Sequence, residues 1–103
     1  MTYRIKSVSV LRYPVLKVIF TDDYSGEYDL TPFINDGPLF EPLKNKDYFN
    51  QVEVGDHGHN FGWNLNSDGD EIDFCPDATR YTLETNAVRA RADAYRARTL
   101  AAE

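Results

Sequence analysis

Apolar and polar residues alternate from the start of the chain. Tyr3, Ile5, Val8 and Val10 keep a period of two across residues 3–12, with one slip at Lys6–Ser7. That spacing predicts a strand with a bulge where the phase changes. After Pro14, the β-branched run Val15-Leu16-Lys17-Val18-Ile19-Phe20 predicts a second strand, buried over most of its length. Asp22-Asp23-Tyr24-Ser25-Gly26 has turn chemistry, and Glu27-Tyr28-Asp29-Leu30 alternates again as a short third strand. The second and third strands then form a hairpin.

The pattern changes at Thr31-Pro32. Threonine can cap a helix and proline suits its first position, so a short helix is expected, ending at Asn35-Asp36-Gly37 before Pro38. Leu39, Phe40 and Leu43 are expected as core anchors in an irregular link. Asn45 or Lys46 opens a second short helix carrying Tyr48 and Phe49. Val52-Glu53-Val54 alternates as a strand. Phe61, Trp63 and Leu65 share one face of the next strand, and Ile72 and Phe74 one face of the last, with Asp68-Gly69 as the hairpin signal between them. Residues 50–75 therefore read as a three-stranded antiparallel meander. Asp77 is expected to cap a helix over residues 78–84. Residues 86–101, rich in Ala and Arg, extend the chain as a further helix. Strands, short helices, strands and a C-terminal helix predict an α+β fold with largely antiparallel small sheets. The expected division is one domain over residues 1–84 and a helical extension over 85–103.

At 103 residues, one core is the expectation. Charge is uneven. The chain carries a net charge of −6, but residues 1–83 hold fourteen acids and seven bases, while residues 84–103 hold three acids and four arginines. An acidic body repels phosphate, which disfavours nucleic acid as the general partner. No apolar run is long enough for a membrane span, and the opening Met-Thr-Tyr-Arg-Ile-Lys is not an apolar leader. A single cysteine excludes an internal disulfide, so a cytoplasmic setting is expected.

Several segments then match a known pattern. They are Val18-Ile19-Phe20-Thr21-Asp22-Asp23, Glu27-Tyr28-Asp29-Leu30, Gly37-Pro38-Leu39-Phe40-Glu41-Pro42-Leu43, Tyr48-Phe49-Asn50-Gln51-Val52, Gly62-Trp63-Asn64 and Asp73-Phe74-Cys75-Pro76-Asp77. In this order they resemble the DUF2442 family of small bacterial and phage proteins, over roughly residues 3–83. The resemblance implies an α+β domain in which two small sheets and short helices share a core. It also implies a regulatory or antitoxin-like setting, since some members lie beside small toxin-like partners and others are joined to a DNA-binding helix-turn-helix. It implies no catalytic residues. This chain departs from the short form in its polar connections at residues 55–60 and 66–70 and in its arginine-rich tail, which is too short for a helix-turn-helix.

Candidate chemistry is sparse. His57 and His59 alternate as zinc or nickel ligands do on a strand, with Cys75 or Asp56 as further donors. A structural zinc site needs four ligands at set spacing, so a solvated loop is the expected reading and no metal is assigned. Asn64, Asn66, Asp68, Gly69 and Asp70 resemble the front of a calcium loop, but Cys75 stands where a bidentate glutamate belongs. No nucleophile elbow, phosphate loop or His-Glu-x-x-His helix occurs, so neither an enzyme nor a cofactor is expected. Cys75 is expected as a small buried group, and Trp63 as core rather than a stacking platform for bases.

The tail holds the assigned site. Val88, Ala92 and Tyr95 form one narrow helical stripe, with Arg89 and Arg96 along one edge and Arg91 and Arg98 along the other. An apolar stripe edged by guanidinium groups suits an acidic protein surface. Arg89, Arg91, Tyr95, Arg96 and Arg98 are therefore the expected partner-binding residues, with the chain's own domain, a second copy in a homodimer, or another protein as occupant. The expected function is a non-catalytic interaction or regulatory protein. The alternatives are a dimeric DNA-associated regulator using the arginine helix, and a small-molecule or metal binder.

Overall fold

A computed structural model describes residues 3–102, and side chains over residues 3–98. Two three-stranded antiparallel sheets form the body. The first is ordered β1-β2-β3, from Ile5–Arg12, Val15–Phe20 and Ser25–Asp29. The second is β4-β5-β6, from Glu53–Val54, Phe61–Trp63 and Ile72–Phe74. Short helices α1 (Thr31–Ile34) and α2 (Lys46–Phe49) link them, and α3 (Pro76–Ala102) closes the chain. The α+β expectation and the meander both hold.

Each sheet turns its apolar positions inward. Leu16, Val18 and Phe20 of β2 are fully buried, while Lys17 points to solvent. The phase slip in β1 is real: pairing with β2 shifts register between Ile5 and Ser7. Phe61 and Trp63 face the same core from β5, and Phe74 stacks on Phe61 at 5.5 Å between ring centres. The Trp63 indole N–H donates to the Phe49 carbonyl at 2.8 Å, so this ring is a satisfied core residue, not a platform for bases. Between them Gly62 adopts φ 156°, where a Cβ would lie 2.0 Å from the Ile72 carbonyl oxygen. Only glycine lets β6 come that close.

Local reading fails at Thr31, Leu39, Leu65 and Cys75, each for a physical reason. Thr31 is not a cap; α1 follows Leu30, and the Thr31 hydroxyl and N–H both donate to Asp29. The link after Gly37 is a 3-10 helix, Pro38–Lys44. At three residues per turn it stacks Phe40 and Leu43 on one face, leaving Leu39 66% exposed instead of in the core. Asn64 takes a positive φ of 57°, which ends β5 before Leu65 can join its inner face. Cys75 is exposed, not buried. Ile72 and Phe74 point inward, so the pleat turns Asp73 and Cys75 outward.

Candidate interaction surface

Helix α3 leaves the body from a built base. Its first turn is tied at the Cys75 carbonyl, which accepts from both the N–H and the hydroxyl of Thr79, at 3.0 and 2.9 Å. Asp77, expected as a cap, instead accepts from the Tyr3 N–H at 2.6 Å and fastens the helix to the chain's first strand region. One turn later Leu83 lies over Gly26 of β3, where a Cβ would come within 3.1 Å of it. A Cβ at position 26 would require the Leu83 side chain to give by a few tenths of an ångström.

Arg80 completes the base, and nothing local in the sequence marks it. Its guanidinium carbon sits 4.0 Å from the centre of the Tyr24 ring, 4.3 Å from Tyr3 and 5.0 Å from Phe20. Cation–π attraction is strongest when the cation is desolvated, and the side chain is only 10% exposed. Nη1 donates to both carboxylate oxygens of Asp22, at 3.1 and 3.0 Å, and Nε donates to Glu84. Burial works against the charge, but the hydrogen bonds to Glu84 and Asp22 outweigh it and hold Arg80 above its ordinary pKa. Asp22 moves the other way. Desolvation pushes it up, while hydrogen bonds from Arg80 and the Tyr24 N–H together bring it below the usual carboxylate value.

Beyond this base the helix runs on without a break, where two separate helical segments were expected. Every described side chain from residue 86 to residue 98 is exposed. The molecule is accordingly elongated, 58 × 30 × 20 Å. Its radius of gyration is 15.7 Å, against about 13 Å expected for a compact chain of this length. Packing of the arginine stripe on its own domain is therefore ruled out by the direction in which the helix leaves the body.

All five expected partner-binding residues lie on this projecting stretch. Val88 is 60% exposed and Tyr95 66%. The stripe also reaches further back than the sequence reading took it. Tyr81, 73% exposed, continues it by one heptad, and Tyr81, Thr85, Val88 and Arg89 wall a shallow groove along the helix. Arg96 pairs with Asp93 at 3.5 Å, both largely exposed. Among the described residues no carboxylate pairs with Arg89, Arg91 or Arg98.

The other candidate positions are placed less favourably for chemistry. His57 and His59 sit on a 3-10 turn, not a strand, with ring centres 5.8 Å apart. A groove of about 570 Å³ between the β4–β5 connection and β6 brings His59, Asp56, Asp73 and Cys75 to its walls, and leaves His57 outside. All four of those side chains are solvent-exposed. Among the described residues no three His, Cys, Asp or Glu side chains are arranged to hold a metal ion. The calcium-like stretch is a hairpin tip in which Glu71 accepts from the Gly69 N–H at 2.8 Å. That bond, with one from its own N–H, holds the Glu71 carboxyl below its ordinary value.

No helix among the described residues is long and apolar enough to cross a membrane. No curated protein and no solved structure matches the chain. The profile of one family, described as a protein of unknown function (DUF2442), matches residues 5–79, from the first strand through the opening turn of α3. That span takes in both sheets and their links, and the chain belongs to the DUF2442 family.

Proposed function

We propose that this protein is a non-catalytic interaction module of the regulatory, antitoxin-like kind, which holds a protein partner on its projecting helix in the cytoplasm. The observation that carries the reading is the exposure of Tyr81, Val88 and Tyr95 in one line on α3. Three large apolar side chains in line on one helix are costly to leave in water and are a mark of a docking surface. Two features of the body support it. Its large aromatic side chains are spent on the shared core, with Phe20, Phe49, Phe61 and Trp63 all below 2% exposure. The groove between the β4–β5 connection and β6 has its ionisable walls in contact with solvent, and is not an enclosed cavity that would exclude water from a reaction. A reducing compartment suits the exposed thiol of Cys75.

The test is affinity capture from the native host with the full chain and with the double variant Val88→Asp/Tyr95→Asp. The reading expects one protein recovered in fixed proportion by the wild type and lost with the variant, the body remaining folded in both. Recovery of the same proteins at the same level by both chains would remove it.

A further inference from the structure

The spacing along α3 says what kind of partner the helix takes. Tyr81, Thr85, Val88, Ala92 and Tyr95 are separated by four, three, four and three residues. That is the 3.5-residue repeat of a coiled-coil seam, with Thr85 and Ala92 at a and Tyr81, Val88 and Tyr95 at d. At ~100° per residue the seam lies on the opposite side of the helix from Thr79 and Leu83, the residues that face the body. The seam is therefore turned away from the body from the base outward.

The same register places every arginine of the tail. Arg89 and Arg96 fall at e, and Arg91 and Arg98 at g. The four positions that flank the seam beyond residue 85 are all cationic. Asp93, the only acid in residues 86–98, falls at b, where it pairs with Arg96 outside the seam. Flanking charges set partner and orientation in a coiled coil.

Self-pairing conflicts with this arrangement. A parallel pair of these helices sets g of one copy against e of the other: Arg91 meets Arg96 along the free turns, and Arg89 meets only Glu84, a carboxylate already bonded to Arg80. An antiparallel pair sets e against e and g against g, and again meets arginine with arginine along the free turns, Glu84 alone offering an opposite charge. The chain's own acidic body is not in contact with the arginines beyond residue 85, whose side chains are all exposed. A helix with carboxylates at its e and g positions meets all four arginines with opposite charge and shares the seam.

The geometry points to an acidic amphipathic helix of another protein as the occupant, docked along residues 81–98 in coiled-coil packing. This rests on the reading of α3 as the docking element. The seam is short and two of its five positions are small, so the grip is modest and strongly electrostatic.

The probe is a synthetic helix of about three heptads with Ile at a, Leu at d and Glu at every e and g. Its control carries Lys at those flanking positions. Titrated into the full chain, the Glu peptide is expected to bind at least ~100-fold more tightly than the Lys peptide. Raising NaCl from ~50 to ~500 mM is expected to weaken it about tenfold or more. Exchanging Arg89, Arg91, Arg96 and Arg98 for Glu reverses the preference. Equal binding of both peptides, or none by the Glu peptide, overturns the proposal. A chain that sediments by itself as a dimer, and becomes monomeric in the Val88→Asp/Tyr95→Asp variant, overturns acidic-helix pairing while sparing the interaction reading. Retention of DNA at low salt with no peptide bound overturns both.

Discussion

In the first two turns of α3 the side chains Thr79, Arg80 and Leu83 are buried, whereas every described side chain from residue 86 to 98 is exposed. The base is helical because the body demands it there: a sheet to lie on, three aromatic rings and two carboxylates around one guanidinium. The projecting part is helical because Ala and Arg are strong helix formers and the base supplies the nucleus. A free helix of this length is marginal in water, yet adding residues to a helix already nucleated costs far less than starting one. The body thus builds the handle, and the handle carries Val88 and Tyr95 exposed on its projecting half.

That contrast can be broken most severely at Leu83. Leu83→Ala empties a site that is 4% exposed and is expected to cost about 3 kcal/mol, whereas Val88→Ala on the projecting half costs under about 0.5 kcal/mol. Urea unfolding followed by Trp63 fluorescence measures both. Equal losses would mean that the projecting half is packed after all. Arg80→Ala is expected to cost about 2 kcal/mol, through lost contact with the rings of Tyr3, Phe20 and Tyr24 more than through lost charge, since Asp22 and Glu84 are half-exposed. Arg80→Lys keeps the charge but not the planar stack, and should recover only part of that loss.

Substituting Ala90→Gly sharpens the comparison from the other side. It removes about 1 kcal/mol of local helix propensity. The expected result is a smaller helical signal in far-ultraviolet circular dichroism with the Trp63 transition unmoved. A midpoint that falls with the helicity would contradict the independence of the two halves. The smallest effect is expected with pH. Asp22 has a folded-state pKa below its unfolded value of about 3.9, so its contribution is full above that pH and disappears as pH falls through the depressed value. Thermal midpoints of wild type and Asp22→Asn are then expected to differ near neutrality and converge in acid. A constant difference across that range would show that Asp22 is not charge-coupled to Arg80.

Much of the body was legible in the order of its residues. Alternation marked five of the six strands along most of their length, the slip at Lys6–Ser7 marked a real register shift, and Asn45 caps α2 through its side chain, which accepts from the Tyr48 N–H at 3.0 Å. These are local properties, decided by a residue and its near neighbours. The errors came where distance in sequence decides. Arg80 looks like an ordinary helix-surface arginine; its rings come from positions 3, 20 and 24, brought together only by the first sheet. Tyr81 lies among residues 79, 80 and 83, which only the fold shows to be buried, and one helix can be core on one side and seam on the other. Cys75 was the avoidable miss, because the inward pairing of Ile72 and Phe74 already turned it outward. The arginines 89, 91, 96 and 98 and Tyr95 were legible as a stripe, but the direction of the helix, and with it the exclusion of the chain's own body as occupant, needed the base.

Hydrogen exchange along α3 tests the central claim most directly. In the protein alone, amides of residues 79–83 are expected to be protected to near the global stability, and those of residues 88–98 to exchange almost freely; the Glu-flanked peptide should slow the second group and leave the first unchanged. Strong protection of residues 88–98 in the protein alone, at low concentration and without peptide, would contradict the account, because it would mean that the seam is already covered.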